Sequence, residues 1–418
     1  MTSHQTITSS RSFASCAIAL AIFSFASNAR AQAAKVDIDE HRTTPVGHRY
    51  IHGMLGDAKY QMALPDNWNG KLLIGARGFS GDENSSGAFK TVGLQKGYAY
   101  ALSDQGWARA TIINETEDKY FESKRRIHQL TAHTKAVVRG YYGASASRTF
   151  MVGGSNGGHN TKMMVEEYPG DYDGGLAGYG ITSHLEWMGS NTRFVRNYDV
   201  FGSRINDIIA ARTADPNWDP VAQPLSPPLT PAQIQALLNV YTMPAFVGGL
   251  TFNVGRFPGS EYRWSRNTLL GYAHDSVPKM DRFYDPNGDG VVTDAEIIQW
   301  EPHLSPPPVA NDLRRFDNTG NLERPIIIGH GSHDPTVSPG ETLVYERLVE
   351  ARLGARARDF LAVYFIPGMG HGGAEYDASL SAQLDALEKW VDWHQSGGSS
   401  GSPPPNVLVG GLGSYPRD

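Results

Sequence analysis

Apolar and polar positions in this 418-residue chain follow two rhythms. Short apolar runs at residues 71–74, 98–102, 149–152, 175–177, 325–328 and 360–366 have the length and composition of buried strands. Between several of them, apolar residues recur three and four positions apart, at 127–142, 160–167, 341–353 and 379–394. That spacing places them on one face of a helix. Strands alternating with helices predict an α/β fold, with a mostly parallel sheet covered by helices on both faces.

The rhythm breaks between about residues 181 and 324. This stretch is rich in proline, asparagine and aromatic residues, among them Trp187, Trp218, Trp264 and Trp300. Local pieces such as 231–240 are helical in pattern, but no strand rhythm is visible. It reads as a lid inserted at 181–324 over the C-terminal edge of the sheet. The sheet domain is then discontinuous, 32–180 and 325–418. Residues 396–405 are rich in Gly, Ser and Pro and read as a loose linker. No internal repeat is evident.

The first residues read as an export signal. Residues 13–26 are apolar but too short to span a bilayer, and Ala29-Arg30-Ala31 fits a small-x-small cleavage site. Residues 1–31 are therefore expected to be a signal peptide, with Gln32 as the mature N-terminus and a secreted or periplasmic location. No later run is apolar and long enough to suggest a membrane span. The only cysteine, Cys16, lies inside this leader. The mature chain is thus expected to work without disulfides, thiolate catalysis or a cysteine-bound metal. The net charge is −6, and loss of Arg11 and Arg30 with the leader makes it −8. With no basic block, nucleic acid is not an expected partner.

The chemistry concentrates at Gly153-Gly154-Ser155-Asn156-Gly157-Gly158, between a strand-like and a helix-like segment. This is the strand–turn–helix context of a nucleophile elbow, whose sharp turn needs flanking glycines. A serine hydroxyl is a weak nucleophile and needs a base, itself oriented by a carboxylate. In α/β-hydrolases these follow in the order Ser, Asp or Glu, His. Asp334 lies in the loop after the 325–328 run, and His371 in the glycine-rich loop after 360–366. The expected triad is Ser155 as nucleophile, His371 as general base and Asp334 as its orienting acid. The oxyanion hole is expected from the backbone N–H of Asn156 and of Gly78, with Arg77 and Phe79 as neighbouring alternatives in the early loop 74–81.

A second motif concerns a metal. Residues 285–296 match the twelve-residue EF-hand loop, with Asp285, Asn287 and Asp289 at positions one, three and five and Gly290 at the turn. Val291 supplies a backbone carbonyl, Thr293 holds a water and Glu296 is the bidentate ligand in that scheme. Pro278 upstream and the lack of a second loop predict a structural Ca²⁺ in the lid rather than a sensor. No organic cofactor is implied.

Taken together these residues resemble the tannase and feruloyl esterase family, which includes a terephthalate monoester hydrolase. The similar motifs are Trp68-Asn69-Gly70-Lys71, Lys96-Gly97-Tyr98-Ala99, Ser103-Asp104, residues 136–142, Tyr168-Pro169-Gly170-Asp171-Tyr172-Asp173-Gly174, Asp334-Pro335 with Ser338-Pro339, and Pro367-Gly368-Met369-Gly370-His371. The resemblance implies an α/β-hydrolase fold with a large, often calcium-bearing lid. It also implies a disulfide joining a cysteine just before the nucleophile to one just after the histidine. Here those positions are Gly154 and Gly372, so that bridge is absent.

The leading expectation is a secreted or periplasmic hydrolase of small or medium carboxylic esters, aromatic esters among them, through an acyl-enzyme. A serine peptidase with a prolyl-oligopeptidase-like elbow and a β-diketone C–C hydrolase use the same triad. A non-catalytic calcium-bound module is the fourth reading.

Overall fold

The computed structural model describes residues 34–85, 87–107, 122–242, 244–247, 250–253, 255–275, 287–289, 291, 293–301 and 314–397. The expected signal peptide lies outside them. The strands are β1 (Lys35–Arg42), β2 (His48–Leu55), β3 (Ala58–Pro65), β4 (Lys71–Ala76), β5 (Ala99–Ser103), β6 (Arg148–Gly154), β7 (Gly174–Gly178), β8 (Pro244–Val247), β9 (Leu250–Asn253), β10 (Ile326–Gly331) and β11 (Leu361–Ile366). Nine of them form one sheet in the order β1-β2-β3-β5-β4-β6-β7-β10-β11. From β5 to β11 all neighbours are parallel. The first three strands form an antiparallel meander that joins β5 antiparallel.

All six expected apolar runs are strands of the parallel part. The meander was not legible in the apolar pattern, and β1 shows why. It is exposed along nearly its whole length and carries Lys35, Asp37, Asp39, Glu40, His41 and Arg42. Its place is set by its backbone ladder with β2 and by cross-strand pairs such as Arg49 with Asp39 at 2.6 Å. Charge on such an edge also discourages pairing with another chain.

Apart from a single turn at Ala357–Phe360, the α-helices among the described residues are α1 (Gly87–Gln95), α2 (Ser123–Tyr142), α3 (Asn156–Glu167), α4 (His184–Phe201), α5 (Ile205–Ala214), α6 (Pro231–Tyr241), α7 (Arg266–Asp275), α8 (Asp294–Gln299), α9 (Pro339–Leu353) and α10 (Ala374–Gln395). Successive strand residues point to opposite faces, so Leu72 and Ile74 pack on one side and Leu73 on the other. The first side is closed by α2, α3 and α9, through residues such as Ile127, Met164 and Val349. The second is closed by α1 and α10, through Phe89, Leu94, Leu384 and Trp390. Helix ends follow local chemistry. Ser338 caps α9 with Pro339 at its first position, and α2 stops at the left-handed Gly143.

Between β7 and β10 the chain adds no strand to this sheet among the described residues. It forms α4 to α8 and a separate hairpin of β8 and β9. That hairpin corrects the expectation of a strand-free insertion. Trp218, Trp264 and Trp300 are buried with Phe194, Phe201 and Leu237 in a core belonging to the insertion itself. Three of the four tryptophans noted in the sequence are therefore packing residues.

Helix α3 lies unusually close to the sheet. A methyl group on Gly158 would sit 2.1 Å from the Gly178 carbonyl oxygen, whereas Gly140 on α2 has open space around it. Gly158→Ala is therefore expected to destabilise the protein by roughly 1–3 kcal/mol through overpacking against backbone. Gly140→Ala should change stability by less than about 1 kcal/mol. Thermal unfolding of both variants checks this. Equal melting temperatures would contradict the close approach of α3.

Candidate active site

Three loops at the carboxyl ends of parallel strands converge on one point, the usual place for ligands in open α/β sheets. Strand β6 ends at Gly154, and Ser155 turns the chain into α3 with φ 59 and ψ −126. A non-glycine residue there is strained, as a nucleophile elbow demands. The Ser155 N–H donates to the Gly178 carbonyl at 3.0 Å, which ties the turn to β7. At Gly157 a methyl would stand 2.2 Å from the Ala76 carbonyl oxygen, so the helix can start beside β4 only without a side chain there.

The structure brings together all three residues expected as a triad. His371 Nε2 lies 2.8 Å from Ser155 Oγ, and His371 Nδ1 lies 2.7 Å from Asp334 Oδ2. Asp334 is fully buried and follows β10, while His371 is partly exposed and follows β11. The other Asp334 oxygen accepts the backbone N–H groups of Thr336 at 2.8 Å and Val337 at 3.0 Å. Burial alone would raise the pKa of Asp334. The charge of His371 and the hydrogen bonds from His330 and His371 outweigh it and hold the carboxyl well below the usual carboxylate range. Asp334 is thus an anion whose partner is the imidazole that touches the serine.

Several supporting residues carried no motif. His330 is buried, with Nε2 3.3 Å from Asp334 Oδ2 and Nδ1 2.7 Å from Thr342 Oγ1. Arg256, a fully buried residue of the insertion, donates to the Asp334 carbonyl at 2.8 Å. Tyr262 Oη and Arg263 Nη2 donate to the Gly368 carbonyl at 2.8 and 3.0 Å, three residues before the histidine. The insertion therefore braces both the acid and the base loops. No spacing rule links residues 256–263 with 334 or 368, so the sequence pattern held no sign of this.

Gly78 and Asn156, expected as oxyanion donors, line the same cleft as Ser155 and His371. Asn156 is the first residue of α3, where backbone N–H groups lack helical partners. Arg77 acts through its side chain. Its buried guanidinium donates to the carbonyls of Gly78, Phe79 and Gly81 at 3.1, 3.1 and 2.7 Å. A trans peptide points its N–H opposite its carbonyl, so this grip turns the Phe79 N–H away from the guanidinium. The early loop is thereby held rigid beside the nucleophile.

The cleft measures 480 Å³, and polar and apolar groups share its walls about equally. Phe79, Ala88 and Phe89 line one part of it, and Ile181, Trp187, Tyr272 and Val337 another. Trp187 is anchored by its indole N–H to the Thr336 carbonyl at 3.0 Å. Among the described residues Asp377 is the only carboxylate in the lining.

The calcium loop is described in part. Asp285 and Gly290 lie outside the described residues, and Val291 is exposed. Asn287 Nδ2 donates to Asp289 Oδ2 at 3.1 Å and to Glu296 Oε1 at 3.0 Å, so three expected ligands are gathered together. Glu296 Oε2 accepts from the Thr293 N–H and hydroxyl, forming a capping box for α8. Among the described residues no group of three or more His, Cys, Asp or Glu side chains is placed to hold a metal ion. Asn287 turns its amide nitrogen toward the two carboxylates, and its Oδ1 accepts the Asp289 N–H at 3.0 Å, so the hard oxygens brought together here are those of Asp289 and Glu296.

Known proteins can now be compared with this arrangement. The family model described as "Tannase and feruloyl esterase" matches residues 47–212 and 308–401. An uncharacterized esterase of Agrobacterium fabrum is 22% identical over 416 residues, covering 80% of this chain and 74% of its own. A probable feruloyl esterase B of Aspergillus niger is 22% identical, covering 82% and 76%. The crystal structure of feruloyl esterase B from Aspergillus oryzae superposes with a TM-score of 0.63 at 17% identity, covering 86% of this chain and 87% of that one. The matched residues include the turn at Ser155, the strand-end loops of Asp334 and His371, and both helical layers of the sheet. The chain belongs to the tannase and feruloyl esterase family, and with it to a family of ester hydrolases built on the α/β-hydrolase fold.

Proposed function

We propose that this protein is a serine carboxylic-ester hydrolase working through an acyl-enzyme. The observation that carries the reading is the continuous chain from Ser155 Oγ to His371 at 2.8 Å and on to buried Asp334 at 2.7 Å, at the floor of a cleft. Ser155 Oγ attacks the ester carbonyl carbon as its proton passes to His371 Nε2. Collapse of the tetrahedral intermediate breaks the bond to the alcohol, which leaves with that proton. Water, deprotonated by His371, then releases the acid and restores Ser155. Asp334 stabilises the imidazolium formed in each half-reaction. The N–H of Asn156 and one from the Gly78 loop take the oxyanion. Phe79, Phe89, Trp187 and Tyr272 in the lining favour an ester with at least one apolar or aromatic group.

The test compares wild type with Ser155→Ala on aryl esters, alkyl esters, peptide amides and β-diketones. The expected result is ester turnover that falls at least about a thousandfold in the variant, with an aryl phosphonate labelling Ser155 in wild type alone. Equal ester turnover by the two proteins would overturn the mechanism. Preferential cleavage of amides or β-diketones would move the substrate class to one of the alternatives.

We propose further that residues 285–296 bind Ca²⁺ as a structural ion, a reading supported by the EF-hand pattern and by the closeness of the Asp289 and Glu296 carboxylates, which share Asn287 as a hydrogen-bond partner. Asp285, Val291 and Thr293 complete the ligand set in the EF-hand pattern. Glu296→Gln keeps a capping side chain but removes the bidentate carboxylate. Wild type is expected to melt at a higher temperature in millimolar Ca²⁺ than in chelator, and Glu296→Gln to show no such difference. Identical wild-type melts in both conditions would exclude the site.

Residues 1–31 are proposed as a cleaved export signal, on the apolar run and the Ala29-Arg30-Ala31 site. Among the described residues no helix is long and apolar enough to cross a membrane. N-terminal sequencing of the exported protein should begin at Gln32, and recovery of the chain starting at Met1 would count against the reading.

A further inference from the structure

Two positions flanking the reacting pair lack side chains, and one aromatic ring fills the space of both. Gly154 immediately precedes Ser155, and Gly372 immediately follows His371. A methyl group on Gly154 would meet the Tyr179 phenol oxygen at 2.4 Å, and one on Gly372 would meet the same oxygen at 2.8 Å. The hydroxyl end of Tyr179 is therefore wedged between the end of β6 and the base loop. Its ring stands edge-to-face against the His371 imidazole, with centroids 5.0 Å apart and planes at 74°. A second edge-to-face contact, to Tyr376 at 5.2 Å, backs it from α10.

The ring is anchored from below. Tyr179 directly follows β7, and its N–H donates to the Gly329 carbonyl of β10 at 2.9 Å. Its φ is 32, an uncommon value for a residue with a side chain, so the backbone is bent to deliver the ring where it stands. On the far side, Tyr262 and Arg263 hold the base loop through Gly368. The loop that carries His371 is gripped from two directions, and only the Tyr179 grip reaches the nucleophile strand as well.

We propose that Tyr179 is a positioning residue that sets the distance between Ser155 and His371 by filling the space that Gly154 and Gly372 leave open. This rests on the Ser155–His371 reading above. The phenol takes no part in proton transfer. Burial, with a contribution from the charges of Asp377 and Asp334, pushes its pKa well above the ordinary phenol value. It works by shape, so the ring counts for more than the hydroxyl.

The experiment measures the rate at which a small alkyl phosphonofluoridate labels Ser155, which depends on the nucleophile and base and little on the acyl pocket. Labelling of wild type and none of Ser155→Ala establishes the underlying reading independently. Tyr179→Leu is expected to slow labelling at least about tenfold, since a misplacement near 1 Å costs up to a hundredfold. Tyr179→Phe should recover most of the rate. Gly154→Ala should also slow labelling, because its methyl displaces the ring. In the Tyr179→Leu background the same methyl has room, so the double variant should be no slower than Tyr179→Leu alone. Tyr179→Leu labelled within twofold of wild type would overturn the proposal, as would fully additive losses in the double variant. Should Tyr179→Leu fail to fold, Gly154→Ala decides, and an unchanged labelling rate there is equally fatal.

Discussion

A full negative charge with no access to water is the constraint around which this site is organised. Asp334 is completely buried, and an uncompensated carboxylate there would be strongly destabilising. The compensation comes from several elements at once. Two backbone N–H groups of its own loop, His330 at the end of β10 and His371 after β11 all face its oxygens, while Arg256 of the insertion takes its carbonyl. Each donor has to be where it is for the anion to be tolerated. The imidazole that must reach the serine is thus placed by the needs of a buried charge as much as by its own loop.

The same logic fastens the insertion to the sheet. Where the chain leaves β7, the N–H groups of Thr182 and Ser183 donate to buried Glu341 of α9 at 2.7 and 3.2 Å. Where it returns, Thr319 and Gly320 donate to Glu166 of α3, each at 2.8 Å. Lys162 of α3 lies between, 3.0 Å from Thr182 Oγ1, and burial draws its pKa down to about 7 against the pull of Glu341 and Glu166. Both stems of the insertion are therefore bonded to carboxylates on the helices that flank the parallel sheet, one of them the helix that begins at the nucleophile. Displacing a stem strips a buried carboxylate of its donors, so the roof of the cleft and its floor keep a common reference.

What could be read from the sequence divides along physical lines. The parallel strands were legible because burial on both faces makes them continuous apolar runs, as in residues 71–74 and 149–152. The meander was not, because β1 carries charges on exposed faces and owes its place to its ladder. Ser155, Asp334 and His371 could be named because elbow geometry demands glycines and because strand-end loops hold such residues in a fixed chain order. Arg256, Tyr179 and the guanidinium of Arg77 could not, since each acts by filling a space or meeting a carbonyl that only the folded chain creates. The tryptophans of the insertion gave an ambiguous signal. Trp218, Trp264 and Trp300 are core, and only Trp187 faces the cleft. The loop at 285–296 was the reverse case, a strong local pattern of which the described residue Asn287 lies within hydrogen-bond distance of both Asp289 and Glu296.

The wedge between Gly154 and Gly372 has a consequence for the conditions under which the site can exist. A cross-link between two sulfurs would make the geometry of nucleophile and base hostage to the redox potential of the surroundings and to an oxidative step during maturation. A tyrosine ring in van der Waals contact requires neither. With Cys16 as the sole thiol in the chain, ahead of every described residue, nothing in the folded part can be reduced open or mispaired while it folds. The arrangement of Ser155, His371 and Asp334 has no thiol or disulfide through which glutathione could alter it.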